Sequence, residues 1–139
     1  MSYIKTCIVI CGGGGKSTLF KENSNKYLDI DHFIWQDPIR KIKLENMLSD
    51  KDIEGIGKLY QEVMETNEEL RNDPRIILVH RPENAEWLDR TILGIYRPSK
   101  KLHNKNIIDR PLYLQEMARK DWDALDKYNP IEYDSFPFL

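Results

Sequence analysis

The stretch Ile4-Lys5-Thr6-Cys7-Ile8-Val9-Ile10-Cys11-Gly12-Gly13-Gly14-Gly15-Lys16-Ser17-Thr18-Leu19-Phe20-Lys21 decides how the rest of the chain is read. Its first part, Ile4 to Cys11, is apolar and β-branched and reads as a buried strand. Four of the chain's seven glycines follow without interruption. With glycine so sparse elsewhere, the run marks a local demand for backbone geometry that a Cβ would obstruct. Lys16, Ser17 and Thr18 then open what reads as a helix. Strand, glycine turn, Lys-Ser, helix is the context of a phosphate-binding loop. In such a loop successive N–H groups converge on a polyphosphate, and the N-terminus of the new helix faces the same anion. Lys16 would meet the β- and γ-phosphates, and the Ser17 hydroxyl would hold Mg²⁺. The candidate nucleotide-binding set is therefore Gly12, Gly13, Gly14, Gly15, Lys16, Ser17 and Thr18, with ATP or another nucleoside triphosphate and Mg²⁺ as the ligands. A flexible glycine linker is the plainer alternative, but a linker has no reason to sit between a buried strand and Lys-Ser-Thr.

The common pattern of these loops is G-x-x-x-x-G-K-[ST], and Ile10 stands where its first glycine would fall. The run Gly12 to Ser17 resembles instead the deviant form G-G-x-G-K-[ST] of the ParA/MinD-type ATPases. Those proteins carry a signature lysine where this chain has Cys11, and they are much longer. The resemblance implies that such a loop can work, not that the chain is a switch ATPase of that type.

At 139 residues the chain is expected to form one domain over 1–139. Lys and Arg number 21 against 23 Asp and Glu, a net charge of −2, which argues against a whole-molecule electrostatic hold on duplex nucleic acid. No apolar run approaches the roughly 20 residues of a membrane helix. The longest, Cys7 to Cys11, lacks the flanks of a signal peptide. A cytoplasmic monomer without membrane partners is the expectation. Cys7 and Cys11, four apart on a strand, would lie about 13 Å from each other, beyond the roughly 7 Å reach of a disulfide. They read as reduced core residues, and one pair makes no zinc site.

Beyond the loop, Lys26–Ile30 reads as a second strand ending in Asp29-Ile30-Asp31. Asp37-Pro38 opens a helix to about Leu48, and Ser49 or Asp50 is expected to cap a longer one carrying Ile53, Ile56, Tyr60, Val63, Met64 and Leu70. Asp73-Pro74 ends it. Arg75–His80 reads as a third strand, Pro82 to Arg90 as a short helix, and Thr91–Tyr96 as a fourth strand stopped by Pro98. After the basic stretch Ser99–Arg110, Pro111 starts a helix that Asn129-Pro130 ends, and Ile131–Tyr133 reads as a fifth strand. Strands alternating with helices indicate a parallel α/β sheet. Trp87 and Trp122 read as core, His32 and His103 as surface residues. The apolar end Phe136-Pro137-Phe138-Leu139 is expected to pack against the body.

The loop Gly12–Thr18, the D-x-D motif at Asp29 and Asp31, a helical segment after it and arginines after the fourth strand together resemble the small P-loop kinases. These are the nucleoside-monophosphate kinase and shikimate kinase group and the short kinase-like proteins of bacteriophages. The resemblance implies a three-layer P-loop NTPase fold with a five-stranded parallel sheet in the order 2-3-1-4-5. ATP would sit at the loop, and the acceptor between a helical insert (about 33–70) and a short lid (about 97–111). Asp29 and Asp31 are two apart, so on an extended strand both carboxylates point the same way, toward the sheet edge where such folds bind ligands. By resemblance, Asp29 would hold Mg²⁺ through water and Asp31 would orient or deprotonate an acceptor hydroxyl. Many P-loop proteins end the third strand on an acid; here His80 stands there, either contacting substrate or satisfied at a strand end. Arg97 and Arg110, in the most basic window, would offer guanidinium groups to the transferring phosphoryl group. Phe33 or Trp35 would stack on a base, line the acceptor pocket or pack in the core.

The function implied is ATP·Mg²⁺-dependent phosphoryl transfer to a small acceptor, a nucleotide or nucleoside first, with Lys16, Asp31, Arg97 and Arg110 as the catalytic set. The alternative is a nucleotide-binding regulatory or interaction module without turnover.

Overall fold

The computed structural model describes residues 5–135. Ile4 of the expected first strand and the apolar segment Phe136–Leu139 lie outside them. Among the described residues five strands and eight helices follow one another as β1 (Thr6–Ile10), α1 (Lys16–Glu22), β2 (Tyr27–Asp29), α2 (Ile30–Trp35), α3 (Pro38–Ser49), α4 (Ile53–Thr66), α5 (Glu68–Arg71), β3 (Ile76–Val79), α6 (Pro82–Leu88), β4 (Thr91–Pro98), α7 (Lys100–Ile107), α8 (Leu112–Ala124), a 3₁₀ turn (Asp126–Tyr128) and β5 (Ile131–Tyr133).

Strand alternation explains why the central strands read as continuous apolar runs. Cys7, Val9, Ile77 and Val79 enter one hydrophobic cluster, while Ile8, Ile10, Ile76 and Leu78 enter another. A strand buried on both faces can spend no position on a polar residue. The first cluster is completed by Ile34, Leu44, Met64, Leu70 and Leu88 from the helices and by Leu125 at the end of α8, the second by Leu19 of α1. Cys7 and Cys11 are free and buried, as expected, and burial pushes each thiol up to about 12. The sheet is parallel throughout, in the order β2-β3-β1-β4-β5, with Val9 beside Val79 and Ile95. The C-terminal ends of β1, β2 and β3 therefore open onto one edge. That register delivers the glycine run, Asp29 and His80 to the same place.

Several boundaries differ from expectation. α4 is capped by Asp52, whose Oδ1 accepts from Gly55 N at 2.9 Å, not by Ser49 or Asp50. Asp50 still bonds back to Asn46, so α3 runs on, and Lys51 makes the left-handed turn (φ 56°) before the next cap. β4 continues through Pro98 because β5 pairs with Tyr96, Arg97 and Pro98. α8 stops at Ala124, short of Asn129-Pro130, where the 3₁₀ turn takes over. The stretch after Pro98, expected as a lid, is α7, capped by Ser99 Oγ on Leu102 N. Among the described residues no helix is long and apolar enough to cross a membrane.

Candidate functional site

The glycine loop needs its glycines for two separate reasons. Gly13 (φ 83°) and Gly15 (φ 103°) hold left-handed backbone that a Cβ disfavours. Gly14 lacks room instead: a Cβ there would stand 2.4 Å from Ile10 Cγ2 and 2.8 Å from the Cys11 carbonyl. The loop is held from outside by its carbonyls. Gly12 O accepts from His103 Nε2 at 2.8 Å, Gly13 O from Asn106 Nδ2 at 2.9 Å, and Gly14 O from the Tyr133 hydroxyl. In a trans peptide the N–H points opposite to the carbonyl before it. The N–H groups of Gly13 and Gly15 thus point away from these partners, and neither donates to a described residue. Gly14 N–H closes the turn onto Cys11 O at 3.0 Å. Gly12, Gly13 and Gly15 line a cavity of about 920 Å³, a size suited to a small ligand.

Lys16, Ser17 and Thr18 line the same cavity. Lys16 is only 6% exposed, yet its ammonium makes no hydrogen bond or ion pair with any described residue. Ser17 and Thr18 are exposed at the cavity wall. Asp29 and Asp31 also reach it, but not by strand alternation as expected. β2 ends at Asp29, which caps α2 by accepting from Asp31 N at 3.0 Å, so the D-x-D motif straddles a strand-to-helix junction. The two carboxylates share one cavity because the chain turns there. Burial, and next the Asp31 charge, raise the Asp29 carboxyl above its ordinary value. Burial acts on Asp31 the same way, but the His80 ring, Lys16 and the Tyr60 hydrogen bond outweigh it and hold that carboxyl well below the carboxylate range.

Asp31 sits at the centre of a hydrogen-bonded chain. Trp35 Nε1 donates to the Tyr60 hydroxyl at 3.2 Å, Tyr60 donates to Asp31 Oδ1 at 2.8 Å, and His80 Nε2 lies 2.9 Å from Asp31 Oδ2. His80 is placed by Asn84, whose buried Oδ1 accepts from the backbone N–H of His80 and Arg81. In the sequence Tyr60 stands as one more apolar position of a helix. Its contact with Asp31 spans 29 residues and leaves no local signal.

The arginines separate. Arg110 is exposed at the cavity mouth. Arg97 is not brought to the cavity: it is 4% exposed, donates to Asp126 at 2.8 Å, to Glu132 at 2.8 Å and to the Trp122 carbonyl at 2.9 Å, and stacks 3.7 Å over the Trp122 ring. Its position on β4, pulled under α8 and against β5, explains the difference. Arg81, which carries no motif in the sequence, does line the cavity and pairs with Asp121 of α8 at 2.6 Å. His103 is not a surface residue; it is 3% exposed and bonded to the loop. With Asn106 it forms an i, i+3 pair on one face of α7, a spacing visible in the sequence whose target, some ninety residues away, was not. His32 is exposed, as expected.

Part of the cavity wall is apolar. It is built by Leu44 and Leu48 of α3, Ile53 and Ile56 of α4, and Leu114 and Met117 of α8, with the half-buried Trp35 and Trp87 among them. Trp122 is core, as expected, whereas Trp87 also faces this cavity, and Phe33 is buried in the core.

Among the described residues no group of three or more His, Cys, Asp or Glu side chains is arranged to hold a metal ion. Mg²⁺ needs no such cage, since it takes one or two carboxylates together with substrate phosphates and water. Asp29, whose Oδ2 makes no hydrogen bond to a described residue, and the Ser17 hydroxyl are oxygen donors of that kind. The chain matches no protein-family model, no curated protein and no solved structure.

Proposed function

We propose that this cavity binds a nucleoside triphosphate, ATP first, with Mg²⁺, and that the protein is a small P-loop kinase transferring the γ-phosphoryl group to a small acceptor. The observation that carries the reading is Lys16. Its side chain is largely covered by protein while its residue lines the cavity, and its ammonium, with three donor hydrogens and no hydrogen-bond acceptor among the described residues, is left to a ligand in that cavity. The free amides of Gly13 and Gly15 belong to residues lining the same cavity, and a cation together with loop amides suits a polyphosphate. Lys16 and the amides of Gly13 and Gly15 would hold the phosphates, and Ser17 and Asp29 would hold Mg²⁺. Held there, Mg²⁺ would neutralise phosphate charge. Arg110, Lys120 and the Asp121-paired Arg81 line the cavity and are the cations that could meet the transferring group besides Lys16, and Arg97 is not among them. The apolar, tryptophan-bearing wall favours an acceptor with a flat ring, which keeps a nucleotide or nucleoside ahead of sugars.

Calorimetry with Mg·ATP on the wild type and on Lys16→Ala tests the binding, and transfer from γ-labelled ATP to pooled nucleosides, nucleotides and sugars tests the chemistry. Binding that Lys16→Ala abolishes, with labelled acceptor, is the expected result. Binding that survives Lys16→Ala refutes the loop assignment. Lys16-dependent binding without any transfer points to a regulatory nucleotide-binding module instead.

A further inference from the structure

The hydrogen-bonded chain around Asp31 fixes where each proton resides. An indole N–H can only donate, so the Tyr60 oxygen accepts from Trp35 and the Tyr60 hydrogen is directed at Asp31. Burial, and next the Asp31 charge, push the Tyr60 hydroxyl up, so it stays a donor. Asp31 accepts from Tyr60 on Oδ1, and a carboxylate, having no hydrogen of its own, can only accept on Oδ2 as well. The ring nitrogen facing it, His80 Nε2, must then carry a proton. In the neutral ring that leaves Nδ1 with the lone pair, and Nδ1 has no hydrogen-bond partner among the described residues. His80 lines the cavity, one residue beyond Val79, which pairs with Val9 just ahead of the glycine loop.

We propose that His80 is the residue that takes the proton from the acceptor hydroxyl, through Nδ1, and that Asp31 and Tyr60 are positioning residues that hold its ring and tautomer. This rests on the phosphoryl-transfer reading above and changes the role of Asp31 within it. Both Asp31 oxygens already accept protein hydrogen bonds, which makes its carboxylate a poor base and a good anchor. An imidazole oriented by a carboxylate is suited to general-base work near neutral pH. In the step, the acceptor O–H bond breaks and its proton moves to Nδ1. The acceptor oxygen forms its bond to the γ-phosphorus as the bond from that phosphorus to the bridging oxygen breaks. The electron pair leaves with the nucleoside diphosphate. The imidazolium faces Asp31 until it returns the proton to solvent.

The test compares wild type with His80→Gln, His80→Gly, Asp31→Asn and Lys16→Ala. Calorimetry reads Mg·ATP binding. Turnover is read as label leaving γ-labelled ATP, whether to water or to pooled nucleosides and nucleoside monophosphates. We expect His80→Gln to bind Mg·ATP as tightly as wild type and to turn over about 100-fold more slowly or worse, and added imidazole to restore part of the turnover of His80→Gly. Asp31→Asn should lower kcat without raising KM for ATP. Imidazole nitrogen–proton correlation spectra of the unliganded wild type, which need no substrate, should show His80 as a single Nε2–H tautomer, and Asp31→Asn should mix the two. Wild-type turnover in His80→Gln, or an Nδ1–H tautomer in the wild type, overturns the proposal even where Mg·ATP binds through Lys16. Absence of Lys16-dependent Mg·ATP binding fails the underlying reading instead, and the proposal with it.

Discussion

Arg97→Met separates a structural arginine from a catalytic one. The guanidinium is nearly sealed, but its carboxylate partners are not: the side chains of Asp126 and Glu132 are 77% and 46% exposed. Once Arg97 is gone both carboxylates are solvated by water, so each ion pair is worth no more than about 1 kcal/mol. The larger losses are the charged hydrogen bond to the Trp122 carbonyl, about 2 kcal/mol, and the stacking over the Trp122 ring, about 1–2 kcal/mol for a desolvated pair. Methionine keeps the stem packing, so the net cost should be about 3 kcal/mol, less than a straight sum because these terms share one side chain. For a chain of this size that lowers Tm by roughly 10 °C. Urea unfolding followed by circular dichroism reads the stability; calorimetry with Mg·ATP, well below the melting range, reads the site. The variant should be clearly less stable and bind the nucleotide like wild type, because Arg97 lies outside the cavity wall. A variant that melts like wild type but loses turnover would show that the guanidinium reaches the phosphates and would refute the assignment.

Three further outcomes are expected. Gly57 lines the cavity and a Cβ there would meet nothing within 4 Å, so Gly57→Leu should stabilise α4 by up to about 1 kcal/mol while raising KM for a nucleoside acceptor and sparing Mg·ATP binding; an unchanged acceptor KM would remove the apolar wall from the acceptor site. Burial, with help from Arg110 and Arg119 and against the Gly12 hydrogen bond and Asp121, holds the His103 imidazole below its ordinary 6.5. The unfolded chain then takes up this proton first as pH falls, so the His103 contribution is complete above 6.5 and is lost below it, toward the depressed folded value. Urea unfolding of wild type and His103→Gln, at neutral pH and about one unit below 6.5, should show the steeper acid loss in wild type, and equal slopes would contradict it. Cys7 and Cys11, with thiols pushed to about 12 by burial, should resist iodoacetamide at neutral pH in the native protein and react after denaturation, as mass spectrometry would report.

The order of elements and the sheet were legible because their causes are local. Apolar, β-branched runs bounded by Asp-Pro, Gly and Asn-Pro mark strands and their ends, and the alternation with helices implies a parallel sheet. The glycine run was legible for the same reason: positive φ at Gly13 and Gly15 and the absence of room at Gly14 are demands on the residues themselves. The start of α4 shifted to Asp52 because cap candidates stand close together at Ser49, Asp50 and Asp52, while β2 ends at Asp29 and α8 at Ala124 because a helix and a 3₁₀ turn follow them directly.

What the sequence by itself determined is therefore the parallel α/β chain plan and the glycine loop Gly12–Thr18 between β1 and α1. What only the tertiary structure decided is who partners whom. Arg97 and Arg110 look alike in sequence, yet one is sealed between Asp126, Glu132 and Trp122 while the other stands at the cavity mouth. His103 and Asn106 become anchors of the glycine loop, and Tyr60 and His80 claim the two oxygens of Asp31, across separations of 91, 93, 29 and 49 residues. The physical reason is that a hydrogen bond depends on position to within a few tenths of an ångström. Local propensity sets which element a residue joins, and only the packed sheet and helices bring distant donors and acceptors to that distance.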